Sequence, residues 1–421
     1  MTDRNRHRRP GTLVLLVLGA LLSACGSASN GSSTPAATAT PSAAHGAFTL
    51  GMICSCSGSQ QAAEGDNGTT IQAWAKWVNA HGGINGYPVR VIVEDDGQNP
   101  ATSLDYAKEL VTRDHIIAMV GEASLVDAAW ANYIASTGVP VVGGVPQEAP
   151  FLTNPDFFPS GSQLSLVGGV SALTSSAGKH HLGVFYCAEA PICAQAVPPA
   201  KAVARLLGMS LTAGAIAASA PSYAAQCLAA KGAGVDAIWV ADTAPVVQRF
   251  VADCRQQGYD PLEVGELGSA TTAWLADPDL SGTLLTANNA DTYDASLPAL
   301  KSFYAALRQY APRILTSSTA VEKPNTIFAW AGGLLFQAAA QAAHLTPASS
   351  PAEVKKGLYA LKNETLGGIA PPLTFTPGRA TFVPCYFTDE LKGATFVPLN
   401  GGKPSCLSQK QTAAVVASLG Q

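Results

Sequence analysis

The chain has little charge and lacks the short motifs that mark common enzyme classes. Only 13% of its 421 residues are charged, against about a quarter in a typical soluble protein. It contains no Gly-x-Ser-x-Gly elbow, no Gly-Lys-Ser/Thr phosphate loop, no His-Glu-x-x-His pair and no Cys-x-x-Cys spacing. The net charge of −4 gives no sign of a nucleic-acid-binding surface. These absences favour a binding protein without a metal or cofactor over an enzyme.

The N-terminus has the features of a bacterial export signal. Several arginines precede a short apolar run at residues 12–22, which is too short to span a bilayer and ends in Leu-Ser-Ala-Cys at residues 22–25. This order resembles a lipobox, in which the peptide is cut before the cysteine and the cysteine is lipidated. A plain secretory signal with a chance cysteine is the alternative. We expect residues 1–24 to be a signal peptide, and residues 25–47 to be the lipidated Cys25 with a flexible Ser/Ala/Thr/Pro-rich tether.

Export makes disulfide bonds the expected state of the remaining eight cysteines. Cys54 and Cys56 are two residues apart, too far for good disulfide geometry on an extended strand, so a bond between them requires a turn. Sequence order suggests three further local pairs, which would close a small loop, clamp two helical stretches and bracket a C-terminal hairpin-like region: Cys187–Cys193, Cys227–Cys254 and Cys385–Cys406.

The stretch at residues 82–97 shows the repeating unit of the fold. A Gly-rich turn at 82–86 follows a helical pattern at 60–80 and leads into a β-branched run at 89–93. Asp95, Asp96, Asn99 and Pro100 are expected to form a turn that caps the next helix. Helix and strand alternate in this way along most of the chain, which predicts an α/β fold with parallel sheets. The expected strands are 48–54, 89–93, 116–121, 139–143, 182–186, 237–241, 263–267 and 283–287.

An ordered set of residues connects the chain to a known family. Gly-Gly-Ile-Asn-Gly at 82–86, Asp-Asp at 95–96, Val-Gly at 120–121 and Gly-Val-Pro-Val-Val at 138–142 carry the likeness. In this order they resemble the type I periplasmic solute-binding proteins of branched-chain amino acid ABC transporters. The resemblance implies a monomer of two Rossmann-like lobes with three hinge crossings, near 160–163, 287–292 and 369–372. The lobes would be 48–162 plus 288–370, and 163–287 plus 371–421.

The loops after the strands are where a ligand is expected, because open α/β sheets bind ligands beyond the carboxyl ends of their strands. The resemblance implies hydroxyl and amide contacts after the third and fourth strands and an acid from the second lobe. Ser124 fits the first position, whereas Gln147 and Glu148 depart from the family pattern, and either Glu189 or Asp242 could be the acid. The full candidate set is Ser57, Ser124, Gln147, Glu148, Tyr186, Glu189, Asp242, Thr243, Ser269 and Tyr293.

These loops contain acids but no Lys or Arg. Glu122, Glu148, Glu189 and Asp242 are the acids, and they serve as ligand groups, helix caps or solvated rim groups. A site for a multiply charged anion would present basic side chains, so we expect a neutral or amine-bearing ligand. The predicted function is capture of a small solute for a membrane permease. A ligand-sensing receptor on the same fold and an envelope adhesin are the alternatives.

Overall fold

The computed structural model describes residues 46–58, 61–189, 191–293, 297–316 and 323–419. The predicted signal peptide, Cys25 and most of the tether lie outside the described residues. Within the described ranges, no helix is long and apolar enough to cross a bilayer. Residues 39–421 form one unit, and its described part contains two separate β-sheets.

The first sheet is parallel, with the strand order β2-β1-β3-β4-β5. Its central strands consist largely of buried Val, Ile, Leu and Met residues, as expected for strands that are covered on both faces. Strand β1 begins and ends at the predicted residues. The strands are β1 (Phe48–Cys54), β2 (Val89–Asp95), β3 (Met119–Glu122), β4 (Val141–Gly144) and β5 (Phe157–Phe158).

The second sheet repeats this arrangement and extends it. Its parallel part has the order β7-β6-β8-β9-β10, and β11 and β12 continue it in antiparallel pairing. The sequence analysis missed β7, because this edge strand is mostly exposed and shows no apolar alternation. The strands are β6 (His181–Cys187), β7 (Ser210–Ile216), β8 (Ala237–Ala241), β9 (Leu262–Glu266), β10 (Leu284–Ala287), β11 (Cys385–Lys392), β12 (Thr395–Pro398) and β13 (Ser405–Cys406).

Helices cover both sheets. Helix α3 begins as predicted, because the Asn99 side chain accepts hydrogen bonds from two backbone amides and Pro100 is the first helical residue. The helices are α1 (Gln61–Glu64), α2 (Asn67–Ala80), α3 (Pro100–Thr112), α4 (Ala131–Thr137), α5 (Ala149–Thr153), α6 (Val170–Ser176), α7 (Pro191–Gln195), α8 (Val197–Leu206), α9 (Ala224–Gly232), α10 (Ala244–Gln256), α11 (Lys301–Tyr310), α12 (Arg313–Thr316), α13 (Lys323–Ala342), α14 (Pro351–Ala360) and α15 (Gln409–Leu419).

Helix α13 lies directly on the first sheet, although it follows the second sheet in sequence. A Cβ atom on Gly332 of this helix would lie 2.6 Å from the Cα of Gly121 in β3. A Cβ atom on Gly143 of β4 would lie 2.3 Å from the Cα of Gly332. The backbones of the helix and the sheet therefore make direct contact at glycines. Because α13 comes after the strands of the second sheet in sequence, the chain passes back to the first lobe after the second.

Three chain segments that pass between the sheets lie side by side. The Ser162 amide donates to the Asn288 carbonyl at 2.9 Å, and the Asn289 side chain donates to the Ser160 carbonyl at 2.9 Å. The Ala290 amide donates to the Ile369 carbonyl at 2.9 Å. These contacts join the three predicted crossing regions. The residue bounds of the lobes given above stay a prediction.

Four disulfide bonds join the cysteines in the expected pairs. Cys54 and Cys56 are bonded with a Cα–Cα distance of 5.1 Å, less than the roughly 7 Å of two extended residues, because β1 ends at Cys54 and the chain then turns. The other pairs are Cys187–Cys193, Cys227–Cys254 and Cys385–Cys406.

Candidate functional site

The strand order locates the candidate site. In both lobes the order of the parallel strands reverses beside the first strand, between β1 and β3 and between β6 and β8. Ligands of open α/β sheets bind at such reversal points, beyond the carboxyl ends of the strands, because the adjacent loops diverge there. The loops that follow β1, β3, β6 and β8 carry half of the ten predicted residues, namely Ser57, Ser124, Glu189, Asp242 and Thr243.

Asp96 is the centre of a buried hydrogen-bond network in the first lobe. Its two carboxylate oxygens accept from the Ser55 hydroxyl at 2.9 Å and from the Ser124 hydroxyl at 2.5 Å. The Gln98 amide also donates to it, at 2.9 Å. Ser124, predicted to contact a ligand, therefore gives its hydroxyl hydrogen to Asp96. Its amide donates to Glu122 at 2.5 Å.

Three further acids lie around this network, and among the residues that the structure describes no basic group is found to act on them. Glu122 and Asp127 are completely buried, and burial together with neighbouring carboxylates raises the pKa of both well above the ordinary range. Burial raises the pKa of Glu148 to about 7. Glu148 precedes α5, but its side chain does not cap that helix. For Glu148 the helix-cap alternative is therefore wrong.

Glu266 is the acid that connects the second lobe to the first. It is the last residue of β9, and its Oε1 accepts from the Gln147 side chain at 3.0 Å and from the Ser165 hydroxyl at 2.8 Å. Gln147 also donates to the Asn288 side chain, at 3.2 Å. Burial raises the pKa of Glu266, and the two side-chain hydrogen bonds oppose that rise. Gln147 thus links the two lobes through a carboxylate that the sequence analysis assigned to the strand.

The space beside this link is small. A cavity of about 10 Å³, enough for about one water, is lined by Asn288, Asn289, Thr292 and Asn325 together with apolar residues. A larger cavity of about 280 Å³ lies at the opposite, amino end of the second sheet, where Arg255 forms ion pairs with two aspartates. The position of that larger cavity does not match the strand ends at which ligands bind, so we take the interlobe region as the site.

Glu189 lies at the surface, whereas one carboxylate oxygen of Asp242 is buried without a hydrogen-bond partner in the described part of the chain. Glu189 is exposed and accepts from the Ala218 amide at 2.8 Å. Asp242 is half-buried and accepts from the amide of Thr243, an exposed residue, at 2.6 Å. Arg249 of α10 acts electrostatically on Asp242, so a basic group reaches these loops although their sequences contain none. The roles of Glu189, Asp242 and Thr243 in ligand binding stay predictions.

The two predicted tyrosine walls make contacts within the protein. Tyr186 packs partly buried against the core of the second sheet. The Tyr293 hydroxyl donates to the Ala270 carbonyl at 2.7 Å, and its ring stacks on Phe396 at 4.5 Å. Burial raises the pKa of Tyr293, which keeps the phenol neutral.

The remaining predicted residues lie at loop positions. The Ser57 amide donates to Asp95 at 3.1 Å, in the loop after β1. Ser269 is half-buried in the turn after β9. Sequence reasoning missed Glu266 and Asp127 in this region. Glu266 is the last residue of β9, and it would have joined the candidate set if the ends of the strands had been included with the loops that follow them. No local feature of the sequence marks Asp127.

The chain matches one family over most of its length. The family described as periplasmic binding protein matches residues 47–395. The chain belongs to the periplasmic binding protein family. Its members bind solutes and are not an enzyme class, which agrees with the absence of catalytic motifs. No curated protein sequence matches the chain.

Solved structures show the same two-lobed fold. A branched-chain amino acid ABC transporter protein from Thermus thermophilus, solved with valine, has a TM-score of 0.73 at 17% identity and covers 87% of this chain and 98% of its own. An ABC transporter substrate-binding protein from Aeropyrum pernix has a TM-score of 0.72 at 16% identity, with coverages of 88% and 99%. A fatty acid ABC transporter substrate-binding protein from Thermomonospora curvata has a TM-score of 0.68 at 18% identity. The match covers 87% of this chain and 94% of that protein.

Proposed function

We propose that this chain is the substrate-binding lipoprotein of an ABC importer. In this proposal Cys25 carries the lipid that holds the protein on the extracytoplasmic face of the cell membrane. The two lobes close on a small neutral or amine-bearing solute, and the closed form delivers it to a permease. Family membership supports solute capture, and the names of the solved relatives support an ABC transporter partner.

The contact between Gln147 and Glu266 carries the proposal. Glu266 accepts hydrogen bonds from one residue of each predicted lobe, because Gln147 follows β4 and Ser165 precedes α6. A ligand that enters between the lobes would take the place of the Gln147 amide on Glu266. Such a ligand must offer an N–H or O–H donor, since an ionised carboxylate only accepts. An amide, an alcohol or an amine meets this requirement, and a multivalent anion does not.

Closure then follows from differential affinity. A solute that binds residues of both lobes stabilises the closed form more than the open form, and the three adjacent crossing segments are the place where the chain can bend. A permease that recognises only the closed form would receive loaded protein in preference to empty protein.

A solute screen with matched variants tests this function. The oxidised, full-length protein is screened by thermal shift against amides, amines, polyols, amino acids, aromatic acids and dicarboxylates. A ligand at a hundred times its dissociation constant should add about 2.7 kcal/mol of stability. Glu266→Gln should weaken the hit by at least about tenfold, because hydrogen bonds to charged groups contribute about 1.5–3 kcal/mol.

Asp105→Asn is the control, since Asp105 is an exposed residue of α3 and pairs only with Lys108 in a surface ion pair. It should leave the affinity unchanged. A tight complex with a dicarboxylate would contradict the ligand class. Absence of any saturable ligand would contradict solute capture. Uptake of the hit by membrane vesicles that contain the partner permease separates an importer from a receptor, because a receptor would bind the solute without supporting uptake.

A further inference from the structure

A second cavity lies within the second lobe, at the end of the sheet that faces away from the cleft. Its volume is about 280 Å³, close to the lower limit of roughly 300 Å³ for common small-molecule pockets. The start of β9, the end of α10, the turn before β10 and the loop before β6 surround it. The residues that line it differ from those at the interlobe contact, so the two places can be tested separately.

The entrance to this cavity carries balanced charges. Arg255 of α10 forms ion pairs with Asp260 at 3.1 Å and with Asp279 at 3.0 Å, and both aspartates are exposed. Lys179, which is half-buried, also lines the cavity. Two basic and two acidic groups therefore lie at the entrance, and their charges cancel. Such an entrance does not select a cation or an anion.

The inner wall of the cavity is mainly apolar. Ile238 of β8, Val251 of α10 and Tyr259 are buried residues of this wall. The Tyr259 hydroxyl donates to the Val235 carbonyl at 2.9 Å, so the polar atom of this side chain is already paired within the protein. A molecule that fills the cavity would therefore place an apolar body against these side chains.

Glu263 of β9 supplies a polar group inside the cavity. The residue is only 7% exposed, and its Oε1 accepts a long hydrogen bond from the Val240 amide at 3.5 Å. Its Oε2 is buried without a hydrogen-bond partner among the residues that the structure describes. Burial raises the pKa of Glu263 well above the ordinary range, because a buried carboxyl without a counter-charge keeps its proton. The protonated group offers one donor and one acceptor side by side.

A primary carboxamide is complementary to this group. Its N–H can donate to the carboxyl while its C=O accepts from the carboxyl O–H, which gives two parallel hydrogen bonds between uncharged partners. We propose that this cavity is a second ligand site, which binds a small uncharged molecule with an apolar body and a terminal carboxamide paired with Glu263. This site is separate from the cleft and does not depend on the function proposed above.

A ligand in this cavity would contact one lobe only. Every residue that lines the cavity falls within 163–287, the range predicted for the second lobe. Binding should raise the stability of the folded protein by linkage. It should not favour the closed form over the open form, because the ligand does not bridge the lobes. The cleft and the cavity should therefore bind their ligands independently.

Benzamide is the first probe, and N,N-dimethylbenzamide is its matched control. Both have the same ring and carbonyl group, but the control has no N–H donor. The oxidised full-length protein, isotopically labelled at isoleucine δ1-methyl groups, is titrated by NMR, and Ile238→Val identifies the Ile238 signal. Benzamide should shift that signal with a dissociation constant of about 1 mM or lower. The control should bind about tenfold more weakly, because Glu263 loses a hydrogen-bond partner.

Variants assign the binding to Glu263. Glu263→Leu should weaken benzamide binding at least about tenfold, since leucine offers neither donor nor acceptor. Glu263→Gln should keep the affinity within about threefold, because glutamine also carries an N–H donor and a C=O acceptor. Val251→Phe reduces the cavity from another wall and should also weaken binding. Asp105→Asn should change nothing, and the isoleucine signals of the first lobe report that each variant is folded.

The outcomes separate this inference from the proposed function. An unmoved Ile238 signal, or unchanged benzamide affinity in both Glu263→Leu and Val251→Phe, would overturn the site. Preferential binding of benzamidine that Glu263→Gln abolishes would overturn the carboxamide pairing in favour of a cation on an ionised carboxylate. Shifts at Ile327 beside the interlobe contact, weakened by Glu266→Gln, would place benzamide in the cleft; that result would overturn the second site and support solute capture.

Discussion

Replacing Glu148 by glutamine should remove a pH-dependent loss of stability from the folded protein. Burial raises the pKa of this carboxyl from an ordinary value of 4.5 to about 7. In the unfolded chain it ionises near the ordinary value, so the folded protein binds more protons between these two pH values. The contribution of the neutral carboxyl is fully present below pH 4.5 and is lost as the pH rises through about 7.

The size of the effect follows from the pKa. One pKa unit corresponds to about 1.4 kcal/mol, so the rise to about 7 amounts to about 3 kcal/mol. Small domains have a total free energy of unfolding of about 5–15 kcal/mol, so this difference should be easy to measure. Relative to the wild type, Glu148→Gln should be similar in stability at pH 4 and about 3 kcal/mol more stable at pH 8.

Urea denaturation followed by circular dichroism measures this difference. The free energy of unfolding is determined from pH 4 to pH 8 for the wild type, Glu148→Gln and the exposed control Asp105→Asn. The difference in free energy of unfolding between Asp105→Asn and the wild type should not change with pH. The Asp105 carboxyl is 72% exposed, and its ion pair lies at the surface. The reasoning would be refuted if the difference in free energy of unfolding between Glu148→Gln and the wild type did not change with pH. It would also be refuted if the variant were less stable than the wild type at high pH.

Three other changes test the fold and the closed cleft. Replacing both Cys227 and Cys254 by serine should cost about 3–4 kcal/mol of unfolding free energy, because their bond closes a loop with a sequence separation of 27; an unchanged urea midpoint would contradict this. Gly143→Ala should lower the thermal midpoint by several degrees, since its φ of 68° and the helix backbone leave no room for a Cβ, whereas Gly214→Ala meets nothing within 4 Å and should change it little. Gln147→Ala should shift the empty protein towards an open form with a larger radius of gyration in X-ray scattering, and an unchanged radius would show that this side chain does not hold the lobes together.

Local patterns predicted the elements of the fold well. Strands β1 and β8 begin and end at the predicted residues, and the Asn99–Pro100 start of α3 follows from capping chemistry within a few residues. Such features depend on neighbours in sequence, so periodicity and turn residues are sufficient to find them. Strand β7 was missed because an exposed edge strand has no buried face to impose a pattern.

The candidate site was only partly predictable. The sequence identified Glu122 and Glu148 as loop acids, but it did not show that Asp96 and Asp127 lie near enough to act on Glu122 electrostatically. It proposed Glu189 or Asp242 as the second-lobe acid, which stays a prediction, and it assigned Glu266 to a strand without a role in the site.

The sequence by itself determined the class of the protein. Its glycine turns and alternating helices and strands are local features that predict an α/β fold with parallel sheets, and the resemblance to a known family added the two lobes and the binding function. Only the tertiary structure decided which side chains meet. Strand order brings Gln147 to Glu266, 119 residues away along the chain, and buries the acids Asp96, Glu122 and Asp127 in the first lobe. Contacts of this kind depend on how the sheets and crossings are arranged in space, which no window of neighbouring residues encodes.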